Sequence, residues 1–206
     1  KVCSGARHAP RGRPDSTLWK VFSRLATSPA GKSSASSVPL FAGRAARDPG
    51  PDRLMAAVET GIPMVLAPCG LDILSYGGRA DMLEKTKDRV QVVQDALRVQ
   101  VRSTADELRQ AADVIAQRLN RARGPWTFLV PLQGWSSLDK PGRPIHDPAA
   151  DAAFVARLKQ RLDEPGRVKE IDLHLYTPEF ARAAVDEFVA LFAQAKAPQH
   201  AAEVPA

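Results

Sequence analysis

The sequence predicts an α/β fold, a Rossmann-like parallel sheet with helices on both faces. Apolar stretches typical of buried strands alternate with amphipathic helical stretches, an order typical of parallel strands joined by right-handed crossovers. In addition, four stretches run from an apolar strand into a polar turn, at residues 63–72, 97–104, 126–139 and 168–180. Because open α/β sheets bind ligands outside the carboxyl ends of their strands, these turns predict the functional edge of the sheet.

Helices and strands are predicted in turn from residue 51 onward. Thr104 with Glu107 three residues later forms a predicted capping box, and two later helices begin with a polar cap followed by proline. The predicted helices cover residues 51–61, part of 79–95, 104–119, 147–162 and 177–195. The predicted strands cover residues 62–67, 97–101, 127–130 and 168–175, and residues 69–78 are predicted to be a turn-rich loop.

Two segments without sustained apolar periodicity flank this pattern. Residues 1–49 are predicted to be irregular or disordered, residues 50–195 to form the α/β lobe, and residues 196–206 to be a frayed tail. Within the first segment, residues 26–33 fit a loose phosphate-loop pattern. Neither a good strand before it nor a good helix after it is evident, so chance is the favoured explanation of that match.

Composition limits the class of protein and its partners. Of the 206 residues, 44% are hydrophobic and 25% charged, and no apolar run approaches the roughly 20 residues that cross a bilayer. With only two cysteines and no secretory signal, a cytoplasmic location without membrane association is expected. Residues 1–50 hold nine Lys/Arg against two Asp/Glu, whereas residues 51–206 hold 20 against 21. The positive charge therefore belongs to the first segment, and no nucleic-acid partner is expected.

The first two polar turns contain candidate ligand-binding residues. Gly70 would allow a ligand to approach the backbone, and Asp72 could accept a hydrogen bond from a ribose hydroxyl; a turn glycine and a capping aspartate are the alternative. Arg102 and Thr104 lie where a strand ends and a helix begins, a position suited to anions. The alternative there is that Thr104 only caps the helix and Arg102 pairs with an acid. Cys69 is interpreted as a small buried residue rather than a reactive thiol.

The last two polar turns contain further candidates. Gly134 and Ser136 belong to a loop of hydroxyls and backbone donors that could hold a phosphate or an oxyanion. Trp135 either stacks on a base or, as favoured here, covers the core. His174 could act as a general base or ligand donor, with Asp139 a second weak catalytic candidate, and a structural histidine is equally favoured. No metal site is expected, because ligands at metal-binding spacing are missing.

Four longer stretches carry a family resemblance, at residues 50–77, 100–125, 129–162 and 168–192. They resemble the C-terminal half of uncharacterised protein family 0261, which includes the ATP-binding domain of a plant tobamovirus-resistance protein. The resemblance implies two Rossmann-like lobes, of which this chain matches the second. It also implies ATP as a ligand, with magnesium accompanying it, and in the plant member it implies binding to viral replication proteins. The family positions found here are Asp72, Arg102, Thr104, Gly134, Ser136, Asp139, Asp172 and His174.

The resemblance also shows three departures. The first lobe is missing, so a site between lobes would need that lobe or a second subunit. Tyr176 and Thr177 stand where relatives often carry Asn-Asp. Upstream of Pro51 the similarity stops, and residues 20–49 are explained either as an irregular segment or as an out-of-frame translation, which the coding DNA would decide.

These observations lead to three hypotheses of function. The leading one is a nucleotide- or anion-binding domain of the ATP type, completed by another lobe or a partner chain. The second is an enzyme that uses Asp/His acid–base chemistry on a small molecule at the carboxyl edge of the strands. The third is an interaction or dimerisation module without a ligand.

Overall fold

The computed structural model describes residues 54–76, 80–95 and 98–196. The expectations for residues 1–49, including the phosphate-loop pattern and the out-of-frame segment, and for the tail beyond residue 196 lie outside the described residues. The helices are α1 (Met55–Thr60), α2 (Ala80–Lys85), α3 (Ala105–Leu119), α4 (Pro148–Arg161) and α5 (Pro178–Lys196), with a 3₁₀ turn at Pro165–Arg167. The strands are β1 (Met64–Leu66), β2 (Ile73–Tyr76), β3 (Gln91–Asp95), β4 (Arg98–Arg102), β5 (Trp126–Pro131) and β6 (Val168–Ile171).

A parallel sheet of order β1-β5-β6 confirms the predicted α/β fold. The central strand β5 is buried along its whole length, as expected for a strand covered on both faces. Trp126, Phe128 and Val130 belong to the core cluster that includes the buried faces of α3 and α4. Leu129 contributes instead to a cluster with Phe180 of α5. The period of two along β5 therefore places helices on both faces of the sheet.

The segment 97–104 does not continue this parallel sheet, contrary to the prediction that all four strand ends belong to one sheet. Its strand β4 is the centre of a second, antiparallel sheet of order β2-β4-β3. The stretch predicted as a turn-rich loop contains β2, which pairs Ile73 with Arg102 and Tyr76 with Val99. The antiparallel sheet has its own small core of Leu74, Val99 and Val101.

Helix boundaries follow the capping residues seen in the sequence. The hydroxyl of Thr104 accepts from Glu107 N at 3.2 Å, and the Glu107 carboxylate accepts from Thr104 N at 2.8 Å, which confirms the capping box. The Asp147 carboxylate accepts from Ala150 N at 3.0 Å, with Pro148 at the first helical position of α4. Gly61 ends α1 in the left-handed conformation that suits glycine, with φ 74°.

Candidate functional site

The loops that follow β5 and β6 are joined by backbone hydrogen bonds, which build one edge of the parallel sheet. Leu132 N donates to Ile171 O at 2.9 Å and Gln133 N donates to Leu173 O at 3.1 Å. The bond from Leu175 N to Gly134 O, at 3.1 Å, continues the pairing past the ends of both strands. Polar side chains of the two loops are consequently held at the carboxyl edge of the sheet.

Gly134 allows the β5 loop to fold back on itself. Its φ is +120°, and a Cβ added there would lie 1.9 Å from the carbonyl oxygen of Asp139 and 3.1 Å from Cδ2 of His174. A side chain is excluded both by the backbone conformation and by the space. Gly134 therefore has a steric role, because only a residue without a side chain fits between Asp139 and His174. Gly70 also has positive φ, 73°, but a Cβ there would meet no heavy atom within 4 Å.

Four of the predicted residues, which come from different turns, contact one another in a buried polar network. The hydroxyl of Ser136 donates to Asp72 Oδ2 at 2.5 Å, and Arg102 Nη1 donates to the Asp72 carbonyl oxygen at 3.4 Å. His174 Nε2 lies 3.1 Å from the carbonyl oxygen of Ser136. All four side chains are less than a tenth exposed. The four turns therefore meet, although one of them comes from the antiparallel sheet, and their polar groups are largely used on each other.

Arg102 has protein partners at its guanidinium. Nη2 donates to Asp151 Oδ1 at 2.5 Å and to the carbonyl oxygen of Asp147 at 3.0 Å, so the arginine is bound to the start of α4. This is the ion pair anticipated in the alternative to anion binding, but the arginine is buried and its partner partly buried, rather than both being on the surface. A phosphate at Arg102 would have to displace Asp151.

The network holds more carboxyl groups than cations. Burial raises the pKa of Asp151 to about 7, with the Asp139 carboxylate adding to the rise and Arg102 opposing it. Burial also raises the pKa of Asp72, while the Ser136 hydrogen bond lowers it. Asp72 Oδ1 and Arg102 Nε are buried atoms without a hydrogen-bond partner among the described residues. Burial, with a smaller contribution from the neighbouring Asp139 carboxylate, therefore brings the titration of Asp151 close to neutral pH.

His174 and Thr104 both have structural partners. Tyr176 N lies 3.1 Å from His174 Nδ1 and donates to it, so the ring proton is on Nε2, which contacts the carbonyl oxygens of Ser136 and Asp139. A role as general base would require one of these bonds to break. The Thr104 hydroxyl is used in the capping box, whose Glu107 is in turn paired with Arg89 at 2.7 Å.

Asp139 pairs with His146, which is not among the predicted site residues. Asp139 is fully buried; its Oδ2 accepts from Trp135 N at 2.8 Å, and its Oδ1 lies 2.9 Å from His146 Nδ1. The two residues are seven apart in a loop rich in proline and glycine, so only the fold of that loop brings them together. Trp135 is buried against Phe154, which confirms that it covers the core.

An open pocket of about 420 Å³ borders this network at His174 and at His146, the partner of Asp139. It is lined by Leu132, Gln133, Lys140, Pro141, His146, Pro148, His174, Tyr176 and Thr177. Of the predicted site residues only His174 lines it. The Tyr176 ring stacks on His174 with centroids 5.8 Å apart, and burial together with the nearby Cys69 and Asp72 raises the pKa of its hydroxyl. Cys69 is exposed, which corrects its interpretation as a buried residue.

Two further negative observations concern the described residues. No group of three or more His, Cys, Asp or Glu side chains within residues 54–76, 80–95 and 98–196 is arranged to hold a metal ion. No helix in this part of the chain is both long enough and apolar enough to span a membrane.

The fold and the site define an α/β lobe with a polar network and an open pocket at the carboxyl edge of its parallel sheet. Comparison with known proteins is consistent with this class and shows the family. Residues 40–192 match the C-terminal domain of uncharacterised protein family UPF0261, and the chain belongs to that family. The match begins ten residues before the stretch recognised in the sequence.

Relatives occur in bacteria and in a plant. A UPF0261 protein of Brucella suis is 31% identical over 139 residues, covering 68% of this chain and 33% of the relative. A UPF0261 protein of Clostridium tetani is 30% identical over 141 residues, covering 68% and 35%. The ToMV resistance protein Tm-1(GCR237) of Solanum lycopersicum is 31% identical over 139 residues, covering 66% and 18%. The aligned part thus spans about a third or less of these relatives.

Proposed function

We propose that this lobe binds a small anionic ligand of the nucleotide type, with ATP as the expected ligand, in the open pocket at the carboxyl edge of β5 and β6. The observation that carries the proposal is the composition of the rim, where Lys140 lines the same pocket as Pro148, the first residue of α4, and Thr177, which immediately precedes α5. The volume of about 420 Å³ lies within the range of small-molecule sites.

Positive potential at the rim supports an anion. Pro148 is the first residue of α4 and Thr177 immediately precedes α5, so the pocket lies at the N-terminal ends of helices of 14 and 19 residues. Helix N-termini attract anions through their partial positive charge, and the Lys140 ammonium adds a full charge. Tyr176, which is 55% exposed, offers an aromatic face on which a base could stack.

Because the pocket is open, another lobe or a second subunit could complete the binding site. The aligned part of the chain covers about a third of the bacterial relatives, so a first lobe, or a second subunit, could cover the ligand. Magnesium would enter with the phosphates rather than through a preformed site, because the described part of the chain has no metal-binding cluster. We place this function in the cytoplasm.

Titration calorimetry with ATP, magnesium-ATP, adenosine and inorganic phosphate tests the proposal. Lys140→Ala should weaken ATP binding about tenfold, the equivalent of about 1.4 kcal/mol, because it removes the only rim ammonium among the described pocket residues. The matched control is Lys159→Ala on α4, a lysine that pairs with Glu170 and does not line the pocket. Equal affinity in the two variants, or no binding of any phosphate ligand by the wild-type protein, would contradict the proposal.

A second candidate function, an interaction or dimerisation module, is favoured by the outer face of α5. Val185, Phe188, Val189 and Phe192 follow helical spacing and are between 37% and 60% exposed. If this face associates, sedimentation velocity should show concentration-dependent mass that Val189→Ser abolishes, whereas Ala152→Ser on the exposed side of α4 should leave it unchanged. A monomer at all concentrations, alone and with the remainder of a family protein, would exclude this function.

A further inference from the structure

The pair formed by Asp139 and His146 has an orientation that general-base chemistry uses. Asp139 is held from two sides, by Trp135 N at its Oδ2 and by His146 Nδ1 at its Oδ1. An aspartate that accepts from Nδ1 fixes the proton on that nitrogen and leaves the lone pair on Nε2. The same buried carboxylate can stabilise the imidazolium that forms when Nε2 takes up a proton.

His146 differs from His174 in what its outer nitrogen contacts. Among the described residues no group hydrogen-bonds to His146 Nε2, while both ring nitrogens of His174 are used. The His146 side chain is 22% exposed and lines the pocket together with Lys140. The buried carboxylate of Asp139 therefore fixes the orientation of the imidazole, which borders the pocket where a ligand would lie.

We propose that Asp139 and His146 form an acid–base pair that hydrolyses a phosphate ester or anhydride bound in this pocket. The proposal rests on the anion-binding function for its substrate. His146 Nε2 takes a proton from a water molecule, and the water oxygen forms a bond to phosphorus. The bond from phosphorus to the leaving oxygen breaks with its electron pair, and the imidazolium returns its proton to that oxygen.

The residues take distinct roles in this step. His146 is the catalytic residue because it exchanges the proton, and Asp139 is a positioning residue because it acts through the imidazole. Lys140 lies on the same rim and would stabilise charge on the phosphoryl oxygens. In this step His146, and not His174, is the histidine that performs acid–base chemistry.

The test combines phosphate release with a spectroscopic observation on the imidazole. Release from ATP and from p-nitrophenyl phosphate is measured for the wild-type protein and for His146→Gln, which should fall by about a hundredfold or more while ATP affinity stays within about twofold. Nitrogen-15 NMR of the wild-type protein should show the His146 proton on Nδ1. Asp139→Asn, checked for folding by circular dichroism, should lower kcat with KM unchanged, which a loss of packing alone would not do.

The outcomes separate this inference from the proposed function. If ATP binds in a Lys140-dependent way but the wild-type protein releases no more phosphate than His146→Gln, the acid–base role is wrong and the binding function stands. If NMR places the proton on Nε2, the orientation argument fails in the same way. If no phosphate ligand binds, both the proposed function and the hydrolytic step are refuted.

Discussion

Replacing Gly134 with alanine tests the close approach on which the edge network depends. The φ of +120° belongs to a region that residues with a side chain rarely adopt. The added Cβ would lie 1.9 Å from the Asp139 carbonyl oxygen, a backbone atom that cannot rotate aside, and 3.1 Å from the His174 ring. The loop must therefore move, and Asp139 must move with it.

The expected loss of stability is the sum of two effects. Holding a non-glycine residue in a sparsely populated backbone conformation costs about 1–3 kcal/mol. Displacing Asp139 weakens its bonds to Trp135 N and His146, and leaving one buried polar group unsatisfied costs about 1–3 kcal/mol more. We expect a total of about 3 kcal/mol, which corresponds to a fall in Tm of about 10 °C for a domain of this size.

Thermal and urea unfolding, followed by circular dichroism, measure this loss against a matched control. Gly142→Ala places a side chain at φ +78° in the same loop, where a Cβ would meet no heavy atom within 4 Å. Only the conformational cost of about 1–2 kcal/mol applies there. If the two variants lose the same stability, the contact of Gly134 with Asp139 does not constrain the loop, and the steric argument is refuted.

Two further predictions follow from the pKa of Asp151 and from the cap of α3. Because the folded pKa of Asp151 is raised to about 7, its contribution to stability is fully present below the unfolded pKa of 3.8 and is lost as the pH rises through the folded value. Asp151→Asn should therefore gain about 2.5 kcal/mol relative to wild type between about pH 5 and about pH 8 in urea unfolding, and a constant difference would refute the shift. Thr104→Ala should cost about 1 kcal/mol through loss of the cap, whereas Thr104→Ser, which keeps the hydroxyl, should cost less; equal losses would show that the hydroxyl is not the cause.

The sequence pattern is sufficient to predict the parallel sheet, but the prediction that β4 belongs to that sheet was wrong. Strands β1 and β5 lie in continuous apolar runs, which is typical of parallel strands covered on both faces. Residues 97–102 alternate apolar and polar side chains instead, which is typical of an antiparallel strand. That difference distinguishes β4 from β1 and β5, although β6 pairs in parallel without a continuous apolar run. Strand β2 was harder to find, because it is only four residues long and glycines stand close to both of its ends in the sequence.

The location of the site could be predicted from the sequence, but the contacts between its residues could not. That Asp72, Arg102, Ser136 and His174 lie at or after predicted strand ends is visible in the sequence. A shared edge of the parallel sheet accounts for Ser136 and His174 but not for Arg102, which ends a strand of the antiparallel sheet. The partners of these residues depend on the paths of loops and the positions of helices. Neither can be recognised from a short stretch of sequence. Arg102 finds its carboxylate 49 residues further along the chain, at the start of α4.

The charges around the pocket favour one orientation for the proposed nucleotide ligand. The network contains the carboxyl groups of Asp72, Asp139 and Asp151 but one guanidinium, that of Arg102. A phosphate group directed toward this network would meet like charge in a low-dielectric environment, where repulsion is strongest. Phosphates are therefore expected at the rim, near Lys140 and the helix N-termini, with the base against Tyr176. In that orientation the phosphates also come next to the outer nitrogen of His146, where the hydrolytic step would occur.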